Sequence, residues 1–178
     1  DLSKGMSQKL QFVTTILHQP KLVILDEPFS GLDPVNSNLI KDEIFKLAQN
    51  GATIIFSTHR MEQVEEICNH IVLVNKGKKI LDGTVSQVKQ EFKENLFRIG
   101  STEVIPALNG NAPFEILNTG KADAIVRIQE GKTPNDVLQY LISNHVAIHS
   151  FQEILPTLND IFIRLVESSP AARQFQSI

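Results

Sequence analysis

Two adjacent acids, Asp26 and Glu27, follow a run of four apolar residues, Leu22 to Leu25. Val and Ile in so short a run are typical of a fully buried strand in a parallel sheet, and open α/β sheets bind their ligands at the carboxyl ends of such strands. Neighbouring side chains of a strand point to opposite sides, so the two carboxylates cannot serve the same purpose. The pair therefore predicts a site in which one acid binds Mg²⁺ and the other faces an attacking water.

Three further short motifs stand where predicted elements begin or end. Ser3 and Gly5 stand at the start of a predicted helix, whose N-terminal N–H groups and positive dipole suit a phosphate. Gly31 and Asp33 occupy a predicted tight turn, and His59 follows a second strand. Each motif alone has an ordinary explanation as a helix cap, a turn or a structural histidine. Their combination, each at the element end that its chemistry needs, favours a functional site.

These motifs resemble, in type and order, the signature motif, Walker B strand, D-loop and H-loop of ABC (ATP-binding-cassette) ATPases. The resemblance covers about residues 1–92. It implies that Asp26 binds Mg²⁺ through water, that Glu27 polarises the water attacking the γ-phosphate of ATP, and that His59 contacts this phosphate.

The resemblance also assigns residues that act across a subunit boundary. Ser3 and Gly5 would contact the γ-phosphate of ATP held by a second ATP-binding subunit in a head-to-tail dimer, and Asp33 would bond backbone of that subunit. The signature motif is usually written Leu-Ser-Gly-Gly-Gln, so Lys4 and Met6 depart from its commonest form.

Hydrophobic spacing predicts the elements that position these residues. A β-α-β-α order implies parallel strands joined by right-handed crossovers. The predicted elements are helix 3–18, strand 21–26, a helix from Pro34 to Asn50, strand 52–58 and helix 61–68.

A second unit of α+β type is predicted downstream. A hairpin around Asn75-Lys76-Gly77 and a short helix, 85–92, lead into it. Its predicted elements are strands 96–99, 114–117, 122–128 and 145–151, with helices 134–143 and 158–167. The fold class is therefore α/β, the C-terminal part of a P-loop NTPase-like ABC ATPase core followed by a small α+β module. The expected boundaries are 1–93 for the ATPase part, 94–167 for the accessory domain and 168–178 for a flexible tail.

No G-x-x-x-x-G-K-[ST] phosphate loop occurs in the sequence. Gly131-Lys132-Thr133 imitates its end, but Val126 stands where the first Gly belongs, and Thr133 before Pro134 is better explained as a helix cap. Because the chain also opens at Asp1 without Met, we interpret it as the C-terminal part of an ABC subunit that is inactive alone.

Two weaker features lie in the second unit. His145 and His149 are four residues apart, but an apolar alternation around them favours a strand over a metal site. Residues 151–166 resemble the tail of a bacterial exporter-type subgroup of ABC proteins, where a small C-terminal module follows the catalytic domain.

Composition excludes some classes of protein. A net charge of −3 argues against a nucleic-acid partner, and the apolar runs are too short to span a bilayer. Cys68 is the single cysteine, so the chain itself can form no disulfide framework. The resemblance implies a transmembrane permease as partner and a peripheral location on the cytoplasmic face of the membrane. The alternatives are a soluble, non-transport ABC ATPase, or a protein whose C-terminal module regulates or dimerises it.

Overall fold

The computed structural model describes residues 3–102, 105 and 112–167. The chain divides into two compact units, residues 1–71 and residues 72–178. The predicted boundary near residue 93 stays a prediction, and the predicted tail, 168–178, lies outside the described residues.

The first unit alternates helices and strands, as predicted. Its elements are α1 (Lys4–Ile16), β1 (Leu22–Asp26), α2 (Pro34–Gln49), β2 (Thr53–Ser57) and α3 (Met61–Ile67). β1 and β2 are parallel, with Asp26 paired to Ser57 at their carboxyl ends. The predicted β-α-β core is therefore confirmed.

The two faces of the β1–β2 sheet differ. Phe12, Phe29, Ile40 and Ile44 form a buried cluster, against which Leu25, Ile54 and Phe56 of the sheet pack. The opposite face carries Leu22 and Ile24, which are 51% and 68% exposed. The prediction of a fully buried strand is thus wrong for the described residues. Side chains alternate along a strand, and in the described part of the chain this cluster covers only one face.

The second unit contains a hairpin and a four-stranded antiparallel sheet. β3 (His70–Asn75), whose first residues belong to the first unit, and β4 (Lys78–Thr84) flank Lys76 and Gly77, both at positive φ, which confirms the predicted hairpin turn. α4 (Val85–Glu91) follows, and then β5 (Leu96–Ser101), β6 (Phe114–Thr119), β7 (Asp123–Ile128), α5 (Pro134–Ser143), β8 (Ile148–Ile154) and α6 (Leu158–Glu167). The strand order in the larger sheet is β6-β7-β5-β8.

This larger sheet has a core of its own. Side chains of β5, β6, β7 and α5 make one buried cluster, in which Ile99, Val126, Val137 and Leu141 are fully inaccessible. Aromatic pairs extend it: the rings of Phe97 and Phe151 stack with centroids 4.9 Å apart.

Helix ends follow the predicted capping chemistry closely. The Thr133 hydroxyl accepts a hydrogen bond from the Asp136 N–H, with Pro134 at the first helical position. Thr157 makes the same contact with Asp160 at α6. The segment Gly131-Lys132-Thr133, which imitates the end of a phosphate loop, is thus the start of a capped helix, as predicted.

The predicted strand His145–Phe151 begins three residues too early. His145 has φ +59° and its N–H bonds to the Ile142 carbonyl, while the Val146 N–H bonds to the Leu141 carbonyl. These contacts form a Schellman motif that ends α5. His145 therefore belongs to the end of α5, and β8 begins at Ile148.

Candidate active site

The site forms where β1 and β2 end side by side. Parallel pairing places Asp26 beside Ser57, and the next residues of each strand continue the juxtaposition. The Glu27 N–H donates to the Ser57 carbonyl at 3.0 Å, just beyond the last ladder pair. The structure therefore brings Asp26, Glu27 and His59 together at one sheet edge.

The Glu27 carboxylate is held by two consecutive residues after β2. Its Oε1 accepts the His59 N–H at 3.0 Å and lies 2.6 Å from His59 Nδ1. Its Oε2 accepts the Thr58 hydroxyl at 3.1 Å. The imidazole itself is 78% exposed, so one side of the pair is open to solvent.

These contacts set the charge state of Glu27. Desolvation acts to raise the pKa of this carboxyl, but hydrogen bonds from the His59 side chain and backbone and from Thr58 outweigh it and lower the pKa. Glu27 is thus an anion at neutral pH, the state that a general base requires.

The backbone of Glu27 adopts φ +45°, in the left-handed region. A residue with a Cβ loses roughly 1–2 kcal/mol there, so surrounding contacts must hold it in place. Phe29, two residues on, is 1% exposed and meets the Phe56 ring edge-on at 6.0 Å. This buried anchor fixes the chain as it turns away from β1.

Asp26 faces the exposed side of the sheet. Its carboxylate accepts the Ser57 hydroxyl across the strand pair. No group of three or more His, Cys, Asp or Glu side chains suited to a metal occurs among the described residues. Mg²⁺ in nucleotide sites is usually held by one or two carboxylates with substrate phosphates and water. A single exposed aspartate therefore fits that mode of binding.

Ser3 and Gly5 lie at the start of α1. Ser3 is the N-cap, and its hydroxyl accepts the Met6 N–H at 3.3 Å. A Cβ at Gly5 would meet Leu32 Cδ2 at 3.6 Å, an ordinary contact, so packing within this chain does not require glycine there.

The turn at Gly31 favours glycine. Gly31 has φ +72°, and a Cβ would lie 2.9 Å from Lys4 Cε, because the Lys4 stem lies across it. Asp33 ends this turn as the N-cap of α2, accepting the Asn36 N–H at 2.9 Å. That hydrogen bond is the leading reason why the pKa of Asp33 is lowered. Among the residues that the structure describes, the side-chain partners of Ser3 and Asp33 lie on their own helices, not at Glu27 or His59.

Three contacting residues had no role in the sequence interpretation: Ser57, Thr58 and Gln8. Ser57 and Thr58 directly precede His59, and strand pairing alone would have placed them opposite Asp26 and Glu27. The Gln8 amide donates to the carbonyls of Glu27 and Pro28, at 3.3 and 3.4 Å. A signal existed, because Gln8 is a polar residue on the helix face shared by Gly5 and the buried Phe12.

Known families match both parts of the chain. Residues 83–166 match the family described as "ATP-binding protein DrrA1-3-like, C-terminal domain". Residues 1–64 match that described as "AAA domain, putative AbiEii toxin, Type IV TA system".

Two individual relatives match almost the entire chain, and a third matches about half of it. An uncharacterised ABC transporter ATP-binding protein of Alkalihalophilus pseudofirmus is 37% identical over 96% of this chain and 64% of its own length. The uncharacterised ABC transporter ATP-binding protein YhaQ of Bacillus subtilis is 38% identical over 93% of this chain and 55% of its own length. A Nod factor export ATP-binding protein I of Cupriavidus metallidurans is 41% identical over 47% of this chain and 27% of its own length.

The chain thus spans less than two thirds of the length of the relatives it matches. None of the helices in the described residues has the length and apolar character needed to cross a membrane. The order of the motifs, the parallel β1–β2 pair and the relatives agree. The chain belongs to the ABC transporter ATP-binding proteins and corresponds to the C-terminal part of their ATPase fold.

Proposed function

We propose that the whole protein hydrolyses ATP to power transport across a membrane, with this chain supplying the catalytic carboxylate. The observation that carries the proposal is the Glu27–His59 pair at the carboxyl end of β1. Residues 1–93 would be the ATPase part, and residues 94–167 the accessory domain.

Glu27 would act as the general base. Its carboxylate is ionised, 32% exposed, and oriented from two directions by Thr58 and His59. A base held in this way can accept a proton from water at the open side of the pair. His59, exposed beside it, would contact the γ-phosphate. Positioning and electrostatics dominate phosphoryl transfer, so the orientation of this pair is the main contribution of the chain.

Asp26 would hold Mg²⁺, through water. Bound Mg²⁺ neutralises charge on the β- and γ-phosphates. Ser57, bonded to Asp26, would fix the orientation of this carboxylate.

The catalytic unit would be a head-to-tail dimer. Ser3, Gly5 and Asp33 of one subunit would complete the ATP site of the other, and no nucleic acid would take part. A transmembrane permease would be the further partner, on the cytoplasmic face of the membrane. The similarity to a Nod factor export ATP-binding protein, and the resemblance of residues 151–166 to an exporter-type subgroup, support export as the direction.

Because no phosphate loop occurs in the sequence, this chain alone would neither bind ATP tightly nor hydrolyse it. Calorimetry of the isolated chain with Mg²⁺ and ATP should show no binding in the micromolar range. Micromolar affinity would overturn this part of the proposal.

The dimer gives the sharpest test of the proposed function. In the full-length protein, Glu27→Gln removes the base but keeps the size of the side chain, so ATP should trap the variant as a dimer in size-exclusion chromatography. Glu43→Gln, on the surface of α2, is the matched control and should behave as wild type. A Glu27→Gln protein that stays monomeric with ATP would contradict the proposal.

A further inference from the structure

Side chains from the first two turns of α1 contact the segment that follows β1. The Lys4 stem lies across Gly31, and Lys9 Nζ donates to Asn36 Oδ1 at 3.0 Å. Between them Gln8 reaches the carbonyls of Glu27 and Pro28. Of these contacts, only those of Gln8 reach the backbone of Glu27.

At Glu27, the conformation of the backbone determines where the carboxylate lies. Its φ of +45° is uncommon for a residue with a Cβ and persists only where neighbours hold it. The Ser57 carbonyl holds its N–H, and its own carbonyl accepts Ser30 N–H at 3.0 Å and Gln8 Nε2 at 3.3 Å. Gln8 is therefore the side-chain contact to the Glu27 backbone that comes from outside this turn and β2.

We propose that Gln8 is a positioning residue for the hydrolysis reaction, linking the helix start that bears Ser3 and Gly5 to the backbone of Glu27. This inference rests on the proposed function. In the proposed dimer, Ser3 and Gly5 serve one ATP site and Glu27 serves the other. Gln8 thus connects the two sites within one subunit, and displacement of α1 at one site moves the base at the other.

The bonds of Gln8 suit such a link. An amide that donates to two successive carbonyls fixes a short piece of backbone without occupying the carboxylate. Gln8 makes no described contact with the Glu27 carboxylate, whose partners are Thr58 and His59. Its loss should therefore misplace the base while leaving the ionisable groups intact.

The test compares Gln8→Met with Gln11→Met in the full-length protein. Methionine keeps the length of the side chain and a good helix propensity but removes the amide donor. Gln11 is an exposed residue on the same helix and gives the matched control. Gln8→Met should lower kcat for ATP roughly 10- to 100-fold, with KM within about twofold, because a small misplacement of a catalytic group is costly. Gln11→Met should leave both constants unchanged.

A second readout does not depend on turnover. In protein labelled with ¹⁵N-glutamate and ¹⁵N-histidine, Gln8→Met should shift the amide resonances of Glu27 and His59, and Gln11→Met should not. If Gln8→Met does not fold, Gln8→Asn, which keeps an amide but falls short by one methylene, replaces it.

The outcomes separate the inference from the proposed function. Wild-type kcat and unshifted Glu27 and His59 resonances in Gln8→Met would overturn the inference, and so would a rise in KM with kcat unchanged. Turnover that Glu27→Gln abolishes would meanwhile leave the proposed function standing. If the wild-type protein does not hydrolyse ATP, the proposed function fails, and with it the catalytic role of Gln8. Shifted resonances would then support only the structural link.

Discussion

The two units differ in how they hold their shape. Among the described residues, the second unit has one core cluster of nine buried residues, from β5, β6, β7, α5 and position 105. In the first unit the corresponding cluster has four, and one face of the β1–β2 sheet stays uncovered among the described residues. That uncovered face also carries Asp26. Among the described residues, the second unit thus has the larger buried core, and the first unit carries the residues that we propose act on ATP.

The largest difference in stability is expected between alanine substitutions at Leu141 and at Ile24. Leu141 is fully buried, so Leu141→Ala should destabilise the second unit by about 2–5 kcal/mol, through lost burial and a cavity. Ile24 is 68% exposed, so Ile24→Ala should cost less than about 0.5 kcal/mol in this chain. Urea unfolding followed by hydrogen exchange, resolved by peptide, measures both. Equal costs would remove the contrast between the units.

A smaller effect is expected at the turn of the first unit. Gly31→Ala places a Cβ in the left-handed region and against the Lys4 stem, and should destabilise the first unit by about 1–2 kcal/mol. Gly5→Ala is the control, since its Cβ meets only ordinary contacts and alanine favours a helix. The same unfolding measurement applies. A Gly31→Ala protein as stable as wild type would show that the turn relaxes freely.

Of these three effects on stability, the loss of a helix cap in the second unit should be the smallest. Thr157→Ala removes the cap of α6 and should cost about 1 kcal/mol. Thr102→Ala, near the end of β5 and outside any helix start, provides a threonine control. Thermal unfolding of the two variants measures the difference, and an equal effect would argue against the cap.

The same caps give a pH dependence with a defined sign. Hydrogen bonds from the Thr157 side chain and backbone lower the pKa of Asp160, and those from the Thr133 backbone and side chain lower that of Asp136. Because the folded-state pKa lies below the ordinary 3.8, this stabilisation is complete above that pH and is lost as pH falls through the lower value. Unfolding free energy should therefore drop on acidification below pH 3.8, and less steeply in Asp160→Asn. An identical slope in the variant would contradict this assignment.

Local rules in the sequence account for most element positions. Helix starts can be predicted at Ser3, Asp33-Pro34 and Thr133-Pro134, because an N-cap depends on only a few neighbouring residues. The strand at His145 is misplaced because a histidine in the left-handed conformation leaves no compositional trace. The burial of Leu22 and Ile24 was overestimated because the pattern of a strand cannot show which of its faces is covered.

The sequence predicted that Asp26, Glu27 and His59 lie close together, but not the geometry of their contacts. Motif order placed Asp26, Glu27 and His59 at neighbouring strand ends, and parallel pairing does bring these residues together. The direct Glu27–His59 contact and the reach of Gln8 depend on rotamers and on the φ of Glu27. A sequence pattern does not specify either.

Magnesium-dependent ATP turnover of the full-length protein and its Glu27→Gln variant tests the central claim most directly. The wild-type protein should hydrolyse ATP, and the variant should lose roughly 10²- to 10⁴-fold in kcat, the usual contribution of a positioned general base. Glu43→Gln should retain the wild-type rate. Turnover that is absent from the wild type, or unchanged in Glu27→Gln, would contradict the assignment of the catalytic base to the end of β1.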